Sequence, residues 1–196
     1  GHAVAMAAGL AKQGMIPVFA VYASFLQRGY DMLIHDVALQ NLHVVLGVDR
    51  AGLVGADGET HHGCFDAMFL SQIPGFTVLC PANFQELRHM VRRALFEITG
   101  PVAVRYPRGG EGAFREDTSA QAAVCLHPGK DVSLVGYGVM VNHLLEAAEL
   151  LKDCRVKVYE VAEQVGYRDI GYFSNTFKKI TGKTPSEYQD SLSFRF

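Results

Sequence analysis

One stretch of fifteen residues carries most of the groups in this chain that could do acid–base or anion-binding chemistry. Residues 49–63, DRAGLVGADGETHHG, hold one Arg, two Asp, one Glu, two His and four Gly. An arginine can hold an anion, and a histidine can move protons near neutral pH. Four glycines let the backbone turn sharply and approach a ligand closely. The alternative is a polar surface loop in which the glycines only form turns.

A buried strand is expected to position this glycine-rich loop. Residues 42–48 (LHVVLGV) precede it directly and are typical of a strand that is buried on both faces. Similar runs at residues 18–22, 78–80 and 102–106 alternate with helical patterns, which predicts an α/β fold with a parallel, doubly wound sheet. Ligands of such sheets bind beyond the carboxyl ends of the strands, so the loop is expected at the binding edge.

Helical patterns lie between the predicted strands. Ser24 precedes an apolar pattern of helical spacing and is expected to cap that helix through its hydroxyl group. Asn83 stands in the same position before a predicted helix at residues 84–97. Two shorter helices are predicted at residues 3–12 and 65–70.

Composition and cysteine usage exclude several classes of protein. The chain is 49% hydrophobic and 19% charged, as in folded globular proteins, and no apolar run approaches the ~20 residues that cross a bilayer. A signal peptide is not expected, and a chain that begins without Met is expected to be a fragment or a processed form. No metal site is predicted. The four cysteines are widely spaced along the chain, which argues against a zinc site and against a disulfide framework. A reducing, cytoplasmic setting is therefore expected for these residues: Cys64, Cys80, Cys125 and Cys154.

The composition changes after a predicted domain at residues 1–110. Residues 111–130 are rich in Gly, Glu, Ser, Gln and Pro and are expected to form a linker. Residues 131–152 predict one strand (DVSLVG) and one amphipathic helix, the first βα unit of a second, truncated α/β domain. Residues 153–196 show only helical periodicity and predict a small all-α tail.

The helical tail has a weak positive charge. Its pattern predicts helices at residues 158–165, 170–181 and 185–191, with a turn between the first two. Up to Asp153 the chain has 11 basic against 15 acidic residues, and from Cys154 onward it has 7 against 5. Nucleic-acid-binding domains usually have a much stronger basic face, so this excess alone says little about a partner.

Several separated motifs give residues 1–152 a specific resemblance. They are HAV with AAGLA, VYASFLQRGYD, DRAGLVGADGETHHG and VRYPRG, in this order. Together they resemble the 1-deoxy-D-xylulose-5-phosphate synthases, thiamine-diphosphate enzymes of the transketolase superfamily. The resemblance implies the pyrimidine-binding domain and, at residues 131–152, the first βα unit of the transketolase C-terminal domain. The enzyme of that family is a homodimer that condenses pyruvate with glyceraldehyde 3-phosphate and releases carbon dioxide. The product of that enzyme feeds isoprenoid and cofactor biosynthesis.

The resemblance also implies roles for individual residues. Phe25 matches the aromatic residue that packs against the cofactor's aminopyrimidine ring, and a place in the helix core is its alternative. The positions that bind the phosphate of the acceptor aldehyde are matched by Arg28, Arg50 and Arg105, each of which alone would be a solvated surface residue. The catalytic positions are matched by Tyr22, Asp57 and His61, and His61 is preferred over His62 as the proton shuttle.

Two requirements of the resemblance do not fall within this sequence. The glutamate that hydrogen-bonds the aminopyrimidine would come directly before Gly1. The groups that hold the diphosphate and Mg²⁺ belong to an N-terminal domain of the family. Thiamine diphosphate with Mg²⁺ is therefore the expected cofactor of the parent enzyme, whereas catalysis by this chain alone is not expected.

A second resemblance covers the C-terminal residues. The run VYEVAEQVGYRDIGYFSNTFKKITGKTPSEYQ resembles the end of AraC-type transcriptional regulators. It implies their second helix-turn-helix, with residues 170–181 as the recognition helix in the major groove of DNA. The residues expected to face bases or phosphates are Arg168, Asp169, Tyr172, Asn175 and Lys178, and a solvated polar helix face is the alternative. One motif of the usual two is expected to bind weakly and without sequence preference.

The two resemblances meet near residues 147–153. Their sequence, AAELLKD, suits the first helix of the synthase's last domain and equally the helix before the regulator's second motif. The reading frame is then a chimera, a misassembly or a genuine fusion. Two hypotheses follow: a fragment of a thiamine-diphosphate enzyme, or a DNA-binding protein that carries an α/β domain.

Overall fold

The computed structural model describes residues 1–129, 133–152, 158–164, 169–181 and 183–188. The chain divides into two compact units, Gly1–Gln121 and Ala122–Phe196. The first unit mixes strands and helices, and the secondary-structure elements described in the second are all helices.

The first unit follows the alternation that the sequence predicts. Its strands are β1 (Val18–Tyr22), β2 (Val45–Asp49), β3 (Thr77–Leu79) and β4 (Val102–Arg105). Its helices are α1 (His2–Lys12), α2 (Ala23–Leu26), α3 (Tyr30–Met32), α4 (Asp66–Ser71) and α5 (Phe84–Phe96). A 3-10 turn at Gln27–Gly29 and a π-helical turn at Leu33–Ala38 extend the helical run around α3, and two more 3-10 turns lie at Gly55–Asp57 and Glu59–His61.

The four strands form one parallel sheet in the order β1-β2-β4-β3. Side chains alternate between its two faces. Leu46 of β2 packs with α1 and the helical run after β1, whereas Val45 packs with Met90 and Ala94 of α5. Because helices cover both faces, the predicted doubly wound α/β architecture is confirmed.

The two predicted helix caps have different outcomes. The Asn83 side chain accepts a hydrogen bond from the Glu86 backbone N–H at 2.9 Å, so this cap is confirmed. The predicted Ser24 cap is wrong, because α2 begins at Ala23 and Ser24 already lies inside the helix. Its hydroxyl oxygen is buried without a hydrogen-bond partner.

The segment after β4 packs against α5. The Glu86 carboxylate is buried and accepts hydrogen bonds from the Ala82 N–H at 2.8 Å and from the Thr118 N–H and hydroxyl at 2.9 and 2.6 Å. Phe114 is buried, and His89 contacts the Asp117 carboxylate at 2.5 Å. Residues 111–119, at the start of the predicted linker, are therefore anchored to the α/β unit.

The second unit contains α6 (Met140–Lys152), α7 (Val158–Gln164), α8 (Ile170–Thr181) and a helical turn at residues 185–188. Over the described residues these elements match the predicted helices, whereas residue 165 and residues 189–191 of the predicted helices lie outside the described residues. The rings of Phe173, Phe177 and Tyr188 are buried and contact one another in sequence, with centroids 5.9 and 5.7 Å apart. They hold α8 to the turn that follows it.

The predicted strand at residues 131–136 is wrong for its described part, since residues 133–136 form no strand. No described strand pairs with them, and a single strand without a partner lacks the inter-strand hydrogen bonds and side-chain packing that stabilise a sheet. Residues 131 and 132 lie outside the described residues. None of the described helices is long and apolar enough to cross a membrane.

Candidate active site

The predicted site lies where the parallel strands end. Tyr22, the last residue of β1, stands opposite Asp49, the last residue of β2. Val48 stands opposite Arg105, the last residue of β4. The carboxyl ends of these strands therefore bring residues from distant parts of the sequence to one edge of the sheet.

The glycine-rich loop closes on itself. The Gly52 and Gly63 backbones exchange two hydrogen bonds, each 2.8 Å long, which join the two ends of the loop. Gly52 has a φ of 95°, a region that favours glycine. A Cβ atom at Gly63 would lie 2.5 Å from both the Arg50 carbonyl oxygen and the Ala23 Cβ atom. Both glycines are therefore required by the closed form of the loop.

Three predicted rings meet at this edge. Tyr22 stacks on Phe25 with centroids 5.5 Å apart and an angle of 26°. His61 lies edge-on to Phe25 at 5.3 Å and to Tyr22 at 6.1 Å. Phe25 is 41% exposed, so its predicted alternative as a helix-core residue does not describe its position.

Charged side chains surround these rings. The Arg50 guanidinium lies 4.2 Å from the centre of the Tyr22 ring, and its Nε is 2.9 Å from an Asp57 oxygen. Arg108 donates to the other Asp57 oxygen. The Arg28 guanidinium lies 5.8 Å from the Phe25 ring centre. Six of the seven predicted residues thus form one connected group with Arg108. We call these seven residues the edge cluster: Tyr22, Phe25, Arg28, Arg50, Asp57, His61 and Arg108.

The two adjacent histidines have different environments. The Val54 backbone N–H donates to Nδ1 of His62 at 2.9 Å, so that nitrogen is an acceptor and His62 holds the loop together. Nδ1 of His61 contacts the Thr60 hydroxyl at 3.0 Å, and its ring faces Phe25. The two histidines therefore have different contacts, and the preference for His61 as the proton shuttle stays a prediction.

Arg105 lies on the next strand and has a carboxylate partner. Its Nε and Nη2 donate to the two oxygens of Asp66 at 2.6 and 3.1 Å. The Asp66 side chain is fully buried, and that of Arg105 is 12% exposed. Burial raises the pKa of the neighbouring Cys80 thiol, although the Arg105 charge acts in the opposite direction. Arg105 therefore anchors the sheet edge through a buried ion pair.

Two residues of this region were not predicted. Arg108 lies three positions after Arg105 in the motif VRYPRG, and its place after a strand is the signal that could have indicated it. Asp66 begins α4 and shows no sequence signal of burial, because its partner lies 39 residues away. Within the part of the chain that the structure describes, no three His, Cys, Asp or Glu side chains form a metal site.

The residues predicted to contact DNA lie around α8. Asp169 comes directly before the helix and is exposed, and Asn175 and Lys178 are exposed on it, opposite the buried Phe173 and Phe177. Tyr172 also lies in α8. Arg168 lies outside the described residues.

Three family models match parts of this chain. The family model of the transketolase pyrimidine-binding domain matches residues 1–110. The chain belongs to the transketolase pyrimidine-binding domain family. The transketolase C-terminal domain model matches residues 121–162, and the model of AraC-family regulatory helix-turn-helix proteins matches residues 154–190. The last two matches overlap over 154–162, a range that contains most of α7.

Similar curated proteins include 1-deoxy-D-xylulose-5-phosphate synthases, which confirms the first resemblance. That of Chlorobaculum tepidum is 56% identical over 156 residues, which make up 77% of this chain and 25% of the relative. That of Bacillus velezensis is 47% identical over 156 residues, with the same coverage. The chain therefore spans about a quarter of the length of these curated relatives.

Two solved structures share the fold. One is described as a split-gene transketolase, an inactive beta4 tetramer, with a TM-score of 0.65 and 23% identity over 97% of this chain and 80% of that chain. The other is a transketolase mutant from Pichia stipitis, with a TM-score of 0.59 and 15% identity over 71% of this chain and 21% of that chain.

Proposed function

We propose that the α/β unit forms part of the active site of a thiamine-diphosphate-dependent 1-deoxy-D-xylulose-5-phosphate synthase. The parent enzyme would be a cytoplasmic homodimer that condenses pyruvate with glyceraldehyde 3-phosphate and releases carbon dioxide in an isoprenoid precursor pathway. The observation that carries the proposal is the edge cluster, in which aromatic, cationic and proton-transfer groups converge at the carboxyl edge of the sheet. This chain would supply only some of the groups of the complete active site.

The exposed ring of Phe25 fits the aminopyrimidine of thiamine diphosphate. The ring is held by Tyr22 and His61 and is 41% exposed, so it offers an apolar surface to a flat heterocycle. The bound cofactor would supply the carbanion chemistry. Its diphosphate and Mg²⁺ would be held by another domain, and Phe25 would orient its pyrimidine ring.

The arginines of the edge cluster fit a phosphate group. Arg50 and Arg108 share one carboxylate, Asp57, so this group keeps a net positive charge for an anion. Arg28 adds a third cation beside Phe25. Arg105 is already bound to Asp66, and its predicted contact with the substrate phosphate stays a proposal.

His61 would move protons in the reaction. Its Nδ1 contact with the Thr60 hydroxyl leaves Nε2 as the nitrogen that exchanges a proton with a substrate oxygen. Tyr22 would line the same pocket through its ring. Asp57 would orient Arg50 and Arg108, since its carboxylate contacts both.

The phosphate site can be tested without catalysis by titrating the isotope-labelled chain with glyceraldehyde 3-phosphate. We expect amide shifts concentrated in residues 49–63 and 105–110. Replacing Arg50 and Arg108 together by Ala should weaken binding at least about tenfold, because each charge-assisted hydrogen bond contributes about 1.5–3 kcal/mol. Glu59→Ala, on the exposed part of the same loop, is the control and should not weaken binding. An unchanged affinity in the double variant would count against the site.

The aminopyrimidine contact is tested in the same spectra with thiamine as the probe. We expect shifts near Tyr22 and His61 that disappear in Phe25→Ala and persist in Phe25→Tyr, which keeps the ring. Shifts that persist in Phe25→Ala would show that thiamine binds elsewhere.

A second candidate function is DNA binding by the helical tail, which would make the chain a fusion. It is favoured by the AraC-family match and by the two faces of α8, one buried through Phe173 and Phe177 and the other carrying Asn175 and Lys178. Such a helix can enter the major groove with its exposed face. A single motif should bind weakly and with strong salt dependence.

Salt-dependent binding to duplex DNA tests this second function. Lys178→Ala should lower the slope of log affinity against log salt concentration by about 1, the effect of one lost phosphate contact. Arg88→Ala on α5 is the matched control, because it removes an exposed cation from the other unit. Equal effects of the two changes would indicate nonspecific attraction rather than recognition through α8.

A further inference from the structure

Arg50 has an unusual backbone conformation for its residue type. Its φ is 57°, in the left-handed region that a side chain with a Cβ atom rarely adopts. Such conformations cost free energy and persist only where the surroundings enforce them, often at functional sites. Arg50 is also the residue that joins the Tyr22 ring to Asp57 in the edge cluster.

Several contacts hold the backbone on the C-terminal side of Arg50. The next residue, Ala51, donates its N–H to the Tyr106 carbonyl at 3.0 Å, and Gly52 is joined to Gly63. The Arg50 carbonyl oxygen lies so close to Gly63 that a Cβ atom there would be 2.5 Å away. These contacts fix the chain after Arg50, but they do not use its own N–H group.

The Arg50 N–H group donates to the side chain before it. The Asp49 carboxylate accepts this hydrogen bond at 2.6 Å in a partly buried position. A charged acceptor at this distance makes a strong hydrogen bond. Asp49 is the last residue of β2, so the sheet fixes its position.

We propose that Asp49 is a positioning residue, whose carboxylate holds the Arg50 backbone in the left-handed conformation and thereby aims the guanidinium between Tyr22 and Asp57. Without this acceptor the Arg50 N–H would lose its partner, and the backbone would relax toward an ordinary conformation. The guanidinium would then leave the Tyr22 ring. The proposed effect of Asp49 on ligand binding rests on the phosphate site proposed above, whereas its effect on the Arg50 conformation does not.

The geometric part is tested by NMR on the full chain with two variants of equal charge. Asp49→Asn keeps an oxygen acceptor, and Asp49→Ala removes it. We expect the Arg50 amide proton to move upfield and the Arg50 Nε–H to exchange faster with water in Asp49→Ala, with both signatures largely kept in Asp49→Asn. An Arg50 Nε–H that stays protected in a folded Asp49→Ala would overturn the proposal, as would equal losses in both variants.

The functional part is tested with inorganic phosphate as the probe. Removing a carboxylate should by itself strengthen anion binding, and Glu59→Ala controls for this effect on the same loop. We expect Asp49→Ala to weaken phosphate binding about tenfold nonetheless, the effect of one misplaced charge-assisted hydrogen bond, and Asp49→Asn to stay within about threefold of the unaltered chain. Unaltered affinity in Asp49→Ala would contradict the inference.

The two proposals fail in different ways. If Arg50→Ala binds phosphate as well as the unaltered chain does, the phosphate site is wrong. The NMR signatures of Arg50 still decide the role of Asp49 in that case. If Arg50→Ala loses binding while Asp49→Ala keeps it, the phosphate site stands and the role of Asp49 is wrong.

Discussion

The edge cluster and the exposed face of α8 carry polar groups in two different ways. The edge cluster draws its residues from three separate segments, around α2, in the glycine-rich loop and after β4. The predicted DNA contacts on α8 follow one another along a single helix. The strand order of a sheet can bring distant charges together, whereas one helix only sorts its own residues into inner and outer faces. Interactions between distant residues should therefore dominate the energetics of the first region.

The largest effect should come from breaking the buried pair of Asp66 and Arg105. Asp66→Ala leaves a nearly buried guanidinium without its carboxylate and should destabilise the α/β unit by about 3–5 kcal/mol. Urea unfolding followed by circular dichroism measures the loss. Arg115→Ala breaks a pair in which that arginine is 60% exposed, and it should cost no more than about 1 kcal/mol. Similar losses would remove the distinction between buried and surface charge pairs.

The helical unit should depend on its buried rings. Phe177 is 7% exposed and contacts the rings of Phe173 and Tyr188, so Phe177→Ala should destabilise the unit by about 3 kcal/mol. Hydrogen exchange of the α8 amides measures this loss. The exposed Asn175→Ala on the same helix should stay within about 0.5 kcal/mol. If Phe177→Ala lowered the protection of the β2 amides from hydrogen exchange by the same amount, the two units would unfold together.

A smaller loss is expected at the closed end of the loop. Gly63→Ala would push a Cβ atom against the Arg50 carbonyl oxygen and Ala23, and it should cost about 1–3 kcal/mol. The matched change Gly55→Ala meets no atom within 4 Å and should be nearly neutral. Thermal unfolding of both variants gives the comparison. Equal melting temperatures would show that the loop opens easily and that its closed form does not restrain Arg50.

The smallest effect concerns Tyr106, beside the loop. Burial, and then the nearby Asp49 charge, raise the pKa of the Tyr106 hydroxyl above its ordinary value of 10.0. The protonated ring therefore contributes stability that is fully present below pH 10.0 and is lost as the pH rises through the raised pKa. In Asp49→Asn the titration midpoint should fall but stay above 10.0, because burial is the larger cause. Ultraviolet titration against a Tyr106→Phe reference measures it, and an unchanged midpoint would show that the Asp49 charge does not reach the ring.

Local sequence was sufficient for most secondary-structure elements and for placing the glycine-rich loop at the carboxyl edge of the sheet. Apolar runs and helical periodicity predicted all four strands and the main helices, because these patterns depend on near neighbours in the chain. The two failures depended on more than local pattern. Residues 133–136 have a strand-like sequence but no described strand beside them, and Ser24 has a capping side chain but lies one residue inside the helix.

The sequence by itself determined the family, the parallel α/β plan and most members of the edge cluster. Only the tertiary structure decided how their charges pair. The order β1-β2-β4-β3 places β4 beside β2, so Arg108 reaches Asp57 in the loop after β2, and Arg105 turns to the buried Asp66. The structure also gave His61 and His62 different partners and held Arg50 in a left-handed conformation. Residue types can indicate which groups do chemistry, but pairing depends on distances between atoms that are far apart in the chain.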